Sequence, residues 1–124
     1  MIHVIGGAGF IGSRLTQLFD QQGRPYQIFD RALSGAQYLD VADKDSFENL
    51  PSSETIINLA AEHRDNVRPE HLYDQVNVEG ARNICSHCTR TGVRHLIFTS
   101  SVAVYGLASD QTGEDGILKP SNKY

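Results

Sequence analysis

The chain has only two cysteines among its 124 residues, and both sit in "CSHC" (85 to 88) within a helical stretch. Disulfide frameworks serve small secreted domains that cannot build a core. With 40% apolar residues this chain can build one, so Cys85 and Cys88 read as reduced thiols. Structural zinc requires four ligands, and no second pair lies at a suitable spacing, so no metal site is expected. Haem attachment would need a histidine after the second cysteine, and Thr89 stands there. Basic runs are also lacking. A formal charge of -4 without a Lys/Arg-rich segment leaves no footprint for nucleic acid or an anionic membrane. Small-molecule partners are expected instead. No apolar run approaches the roughly 20 residues of a bilayer span, and Met1 leads straight into "IHVIGG" without a basic and apolar leader. A cytoplasmic location is therefore expected.

What the chain does have is an alternation of short β-branched runs with segments of helical period. The run 2–7 predicts a strand, and 10–23, with Ile11, Leu15, Leu18 and Phe19 at helical spacing, predicts a helix. Strands follow at 25–30 and 36–41, then a brief helix at 43–50 with an acidic first turn. "TIINLAA" (55 to 61) has the continuous apolar character of a strand covered on both faces. A long helix is predicted from Pro69 to Thr91, with Leu72, Val76, Ala81, Ile84 and Cys88 inward and Gly92 as its stop. The last predicted strand is a buried one at 94–102. These elements predict a single α/β domain over 1–124: a doubly wound (Rossmann) parallel sheet, order 3-2-1-4-5, incomplete at its carboxyl-terminal end.

"GGAGFIG" (6 to 12) joins the first strand to the first helix. Glycines there allow a tight turn and let main-chain N–H groups meet a diphosphate at the positive end of the helix. Gly6, Gly9, Phe10, Ile11 and Gly12 are thus candidate cofactor contacts. Asp30 closes the second strand eighteen residues after Gly12, where an acid hydrogen-bonds the adenosine ribose hydroxyls. A carboxylate repels a 2′-phosphate and favours NAD, whereas the adjacent Arg31 leaves NADP open as the less favoured cofactor.

With these residues in order, the whole chain resembles the amino-terminal part of an extended short-chain dehydrogenase/reductase, the group of NAD-dependent nucleotide-sugar epimerases and dehydratases. Gly6, Gly9 and Gly12 match the family's glycine motif and Asp30 its ribose acid. "LDVAD" matches the adenine pocket at Asp40 and Val41, and "NLAA" the segment over the cofactor at Leu59, Ala60 and Ala61, with His63 just beyond. Tyr73-x-x-x-Asn77 matches a helix motif, with Asn77 either a cofactor contact or a surface amide. "SSVAVYG" matches the strand carrying the catalytic serine, Ser101, and Tyr124 falls where the catalytic tyrosine stands. The resemblance implies transient hydride transfer to NAD, a nucleotide-sugar substrate and a homodimer. It also implies a lysine four residues after the tyrosine to lower the tyrosine pKa, and Lys123 cannot substitute because a neighbouring residue points elsewhere on a helix. The chain is accordingly expected to be the amino-terminal portion of a larger enzyme and inactive alone. Two bland readings stay beside these: Ser101 as a cap of the strand-to-loop transition, and the whole chain as a non-catalytic dinucleotide-binding regulator.

Overall fold

The computed structural model describes residues 1–32, 35–64, 66–107 and 112–121. Five strands form one sheet: β1 Ile2–Ile5, β2 Tyr26–Asp30, β3 Gln37–Tyr38, β4 Thr55–Asn58 and β5 His95–Phe98. Their spatial order is β3-β2-β1-β4-β5, every pair parallel. The predicted architecture is therefore the observed one. Helix α1 spans Phe10–Gln21. A 3-10 turn covers Lys44–Phe47, within the brief helix that the sequence predicts over 43–50. The long helix is composite: α2 His71–Tyr73, a π-helical segment Asp74–Glu79, and α3 Gly80–Thr91, which ends on Gly92 in the left-handed conformation. It starts two residues after Pro69, which follows a cis peptide.

The two-residue repeat of a strand sends alternate side chains to opposite faces. Val4 and Ile57 join Phe19 of α1 on one face, while Ile5 and Ile56 join Phe29, Val76 and Ile84 beneath the long helix on the other. Helix α1 buries Gly12, Thr16 and Phe19, so the inward stripe differs from the predicted one. Ile11 and Leu18 stay exposed. Thr16 satisfies its hydroxyl by donating to the Gly12 carbonyl at 3.0 Å, which makes a polar residue tolerable there. On the other face Gly80 lets α3 approach Val41: an added Cβ would stand 2.8 Å from Val41 Cγ2. Asn83 Nδ2 then donates to the Val41 carbonyl at 2.9 Å.

One expectation holds for the strand and fails for its burial. The sequence predicts a buried strand over 94–102, yet all four residues of β5 are exposed. β5 is an edge strand of the described sheet, and Leu96, Ile97 and Phe98 are accessible on it.

Candidate functional site: the crevice at the switch point

Strand order reverses between β1 and β4, and it is beyond the carboxyl ends of the strands at such a switch point that open α/β sheets take ligands in a crevice. The glycine turn lines one wall. Gly6 has φ +76°, and a Cβ on it would lie 2.6 Å from Ala60 N, so only glycine lets the turn back onto the Leu59–Ala60 backbone. Gly12 packs as tightly, its would-be Cβ 2.5 Å from Gly7 Cα. These contacts fix where α1 begins. Its N-cap is Gly9, which offers no side-chain cap, and the first turn carries no acidic residue. The positive end of α1 and its first-turn amides, Phe10, Ile11 and Gly12, therefore remain uncompensated by any side chain of the helix.

Asp30 ends β2 beside this turn. Its Oδ2 accepts from the Ala8 amide at 3.0 Å and its Oδ1 from the Ala32 amide at 3.0 Å. Both carboxylate oxygens are oriented by main chain and keep lone pairs for further donors. The bond to Ala8 also fixes the distance between acid and amide wall, a link that sequence spacing does not reveal. Arg31 is exposed next to it. Farther along that wall Val41 is buried, and Asp40 Oδ1 accepts from the Ala42 amide at 3.0 Å.

The opposite wall follows β4. Leu59 N donates to Ile5 O at 2.8 Å, and buried Asn58 accepts from Ala60 N through Oδ1 at 3.1 Å. Asn58 O also accepts from Thr99 Oγ1 at 3.0 Å, which ties the end of β5 to that of β4. The next segment is held by the long helix. Asn77 Oδ1 accepts from Glu62 N at 2.8 Å while its Nδ2 donates to Glu62 O at 2.9 Å. Asn77, a candidate cofactor contact, is thus seen grasping a main-chain peptide. The Tyr73 hydroxyl donates to the Arg64 carbonyl and accepts from Val67 N at 3.4 Å.

Glu62 is not singled out by sequence. It is buried to 7% exposure and meets Arg64 by two bonds of 3.0 Å, from Nε and from a terminal nitrogen. The hydrogen bonds from Arg64 hold the Glu62 carboxyl below its ordinary range, so it remains charged. Arg64 and Arg68 pair with Glu62 and Glu70. His63 and Ala61 are exposed on this rim.

Ser101 lies beyond β5, exposed, its hydroxyl oxygen accepting from Ala103 N at 3.1 Å as the cap of the 3-10 turn Val102–Tyr105. The capping role is therefore present, and it leaves the hydroxyl hydrogen free to be donated. Tyr124 lies outside the described residues. Cys85 and Cys88 are free thiols. Among the described residues no group of three or more His, Cys, Asp or Glu side chains could hold a metal ion, and no helix is long and apolar enough to cross a membrane.

A dinucleotide suits this donor set: uncapped amides at a helix start for a diphosphate, and a main-chain-oriented carboxylate one strand away for a diol. Known proteins agree with that geometry. An undecaprenol-diphosphate-linked N-acetyl-α-D-glucosaminyl 4-epimerase of Escherichia coli O157:H7 is 39% identical over 98% of this chain and 38% of its own length. A dTDP-glucose 4,6-dehydratase of Streptomyces griseus is 26% identical over 98% of the chain and 44% of its own. Among solved structures, the Thermus thermophilus UDP-glucose 4-epimerase complex with NAD superposes with a TM-score of 0.87 at 26% identity, covering 99% of this chain and 45% of the other. The chain thus spans less than half the length of these relatives. The family model described as "NAD dependent epimerase/dehydratase family" matches residues 2–124, and to that family this chain belongs.

Proposed function

We propose that this chain is the NAD-binding portion of a nucleotide-sugar epimerase or dehydratase. The observation that carries the reading is the pairing of side-chain-free amides at the start of α1 with the Asp30 carboxylate, joined through Ala8. Gly9, Phe10, Ile11 and Gly12 would hold the diphosphate. Asp30 would hold the adenosine ribose and disfavour NADP despite Arg31. Asp40 and Val41 would border the adenine, and Leu59, Ala60, Ala61 and His63 would cover the cofactor, with Asn77 fixing that cover through Glu62. When bound, NAD supplies a reversible hydride acceptor.

In the complete enzyme, Ser101 would donate its hydroxyl hydrogen to the substrate oxygen, and Tyr124 would take the proton from that sugar hydroxyl. A tyrosine with an ordinary pKa near 10 needs nearby positive charge to do so at neutral pH. The substrate is proposed to be a nucleotide sugar, the enzyme a cytoplasmic homodimer, and the chain alone inactive.

Thermal unfolding tests the binding step. NAD at about a hundred times its dissociation constant should add about 2.7 kcal/mol to folding stability. NADP at equal concentration should add less. No upward shift with millimolar NAD would remove the basis for the reading. Epimer formation by the 124-residue chain, given nucleotide sugar and NAD, would overturn its proposed inactivity.

A further inference from the structure

Two histidines occupy the core layer between the sheet and α3, away from the crevice. His3 shares the sheet face of Ile5, is 1% exposed and packs its ring 4.8 Å from that of Phe29. His87, on the inward face of α3, is 1% exposed and lies 5.9 Å from the Phe47 ring. Each leaves one buried nitrogen without a hydrogen-bond partner, Nδ1 of His3 and Nε2 of His87. Only neutral groups favour an added proton, the Gln27 side chain at His3 and the Pro51 main chain at His87, and burial outweighs them.

Their charged surroundings are mostly cationic. The Met1 amino group and His87 itself bear on His3, whose polar neighbour on β2 is Gln27. On α3, Arg90 approaches His87 Nδ1 to 3.4 Å while also donating to the Phe47 carbonyl at 3.2 Å. Lys44, Asp45 and Glu48 of the 3-10 turn and its end line a cavity of about 270 Å³ with His87 and Arg90. Both acids are solvent-exposed, and among the described residues neither imidazole has an ion pair. Burial first, then neighbouring positive charge, pushes both histidines below their ordinary pKa.

We propose that His3 and His87 form an acid-sensitive latch, neutral when α3 is docked, and that protonation of either releases α3 from the sheet. Release would break the Asn83–Val41 and Arg90–Phe47 bonds and loosen the helix whose Asn77 grasps Glu62. The sign follows from linkage: a histidine whose docked pKa is lowered contributes stability present above its free value of about 6.5 and lost as pH falls below it. One that stayed neutral while docked would shift the docking equilibrium by up to about tenfold between pH 7.5 and 5.5, and the pair by up to about a hundredfold.

Amide hydrogen exchange, corrected for intrinsic rate, reads this directly. Protection across α3 should fall by between about ten- and a hundredfold from pH 7.5 to 5.5 while protection in α1 falls much less. In the His3→Leu, His87→Leu double variant it should be independent of pH. Unchanged protection in α3, an equal fall in α1, or a variant with undiminished pH dependence would each overturn the latch. Should the double variant fail to fold, imidazole titration by NMR in the unmodified protein decides. His3 and His87 should titrate distinctly below the value of about 6.5 of a free imidazole, whereas titration of both at that value would overturn it.

Discussion

Replacing Gly12 by valine should weaken NAD binding by more than about 100-fold and lower the urea midpoint, both measured on the same protein by calorimetry and denaturation. The cause is local and steric. A Cβ at residue 12 would sit 2.5 Å from Gly7 Cα, with the Gly7 carbonyl carbon at 2.6 Å. These are main-chain atoms that cannot swing aside, so the start of α1 must move away from the turn. Overpacking of this kind costs about 1–3 kcal/mol. The larger effect falls on the ligand, because displacement misaligns the first-turn amides together. Hydrogen bonds to a charged group are worth about 1.5–3 kcal/mol each, and every 1.4 kcal/mol is about tenfold in affinity. Gly9→Ala supplies the contrast: its Cβ would meet only the Gly6 carbonyl oxygen, at 3.3 Å. It should leave the denaturation midpoint nearly unchanged while weakening NAD by crowding the approach of the diphosphate. Unaltered NAD affinity in Gly12→Val would mean that the glycine turn does not bear the ligand.

Asp30→Ala should reduce NAD affinity by about 100-fold, as two hydrogen bonds to the charged carboxylate are lost. The Ala8 and Ala32 amides lose their acceptor as well, so the acid-to-turn spacing relaxes and adds to the loss. NADP should respond differently. Removing the carboxylate removes its repulsion of a 2′-phosphate and leaves Arg31 beside the vacated position, so the NAD to NADP preference should narrow or invert. Calorimetric titration with each dinucleotide measures both effects. Equal losses for the two would show that Asp30 acts only by organising the turn.

The crevice was legible because its parts announce themselves locally: glycines cluster where a Cβ cannot fit, and an acid closes the neighbouring strand. Sheet order was legible for a similar reason, since short β-branched runs alternating with helical periods leave few topologies. What escaped depended on contacts distant in sequence. Asn77 could not be seen to grasp Glu62, fifteen residues away, and nothing marked Glu62 as buried until Arg64 folded over it. Apolar spacing points to Ile11 and Leu18 for the inward stripe of α1, whereas Gly12 and Thr16 occupy it. Close helix-to-turn packing prefers small residues, and the Thr16 hydroxyl bonds within its own helix. Nothing in the sequence marks His3 and His87 as buried, because composition does not show which polar residues a sheet and a helix enclose together. The apolar run of β5 predicts a buried strand, yet burial also depends on what packs against the run, and β5 is exposed at the edge of the described sheet.

The central claim is that main-chain amides opening α1 hold a diphosphate while Asp30 grips the adjoining ribose. Nitrogen-15 NMR during NAD titration tests it residue by residue. The account predicts the largest shifts at the Phe10, Ile11, Gly12 and Ala8 amides, all saturating with a single dissociation constant. A folded spectrum in which those four amides stay fixed at millimolar NAD would contradict it.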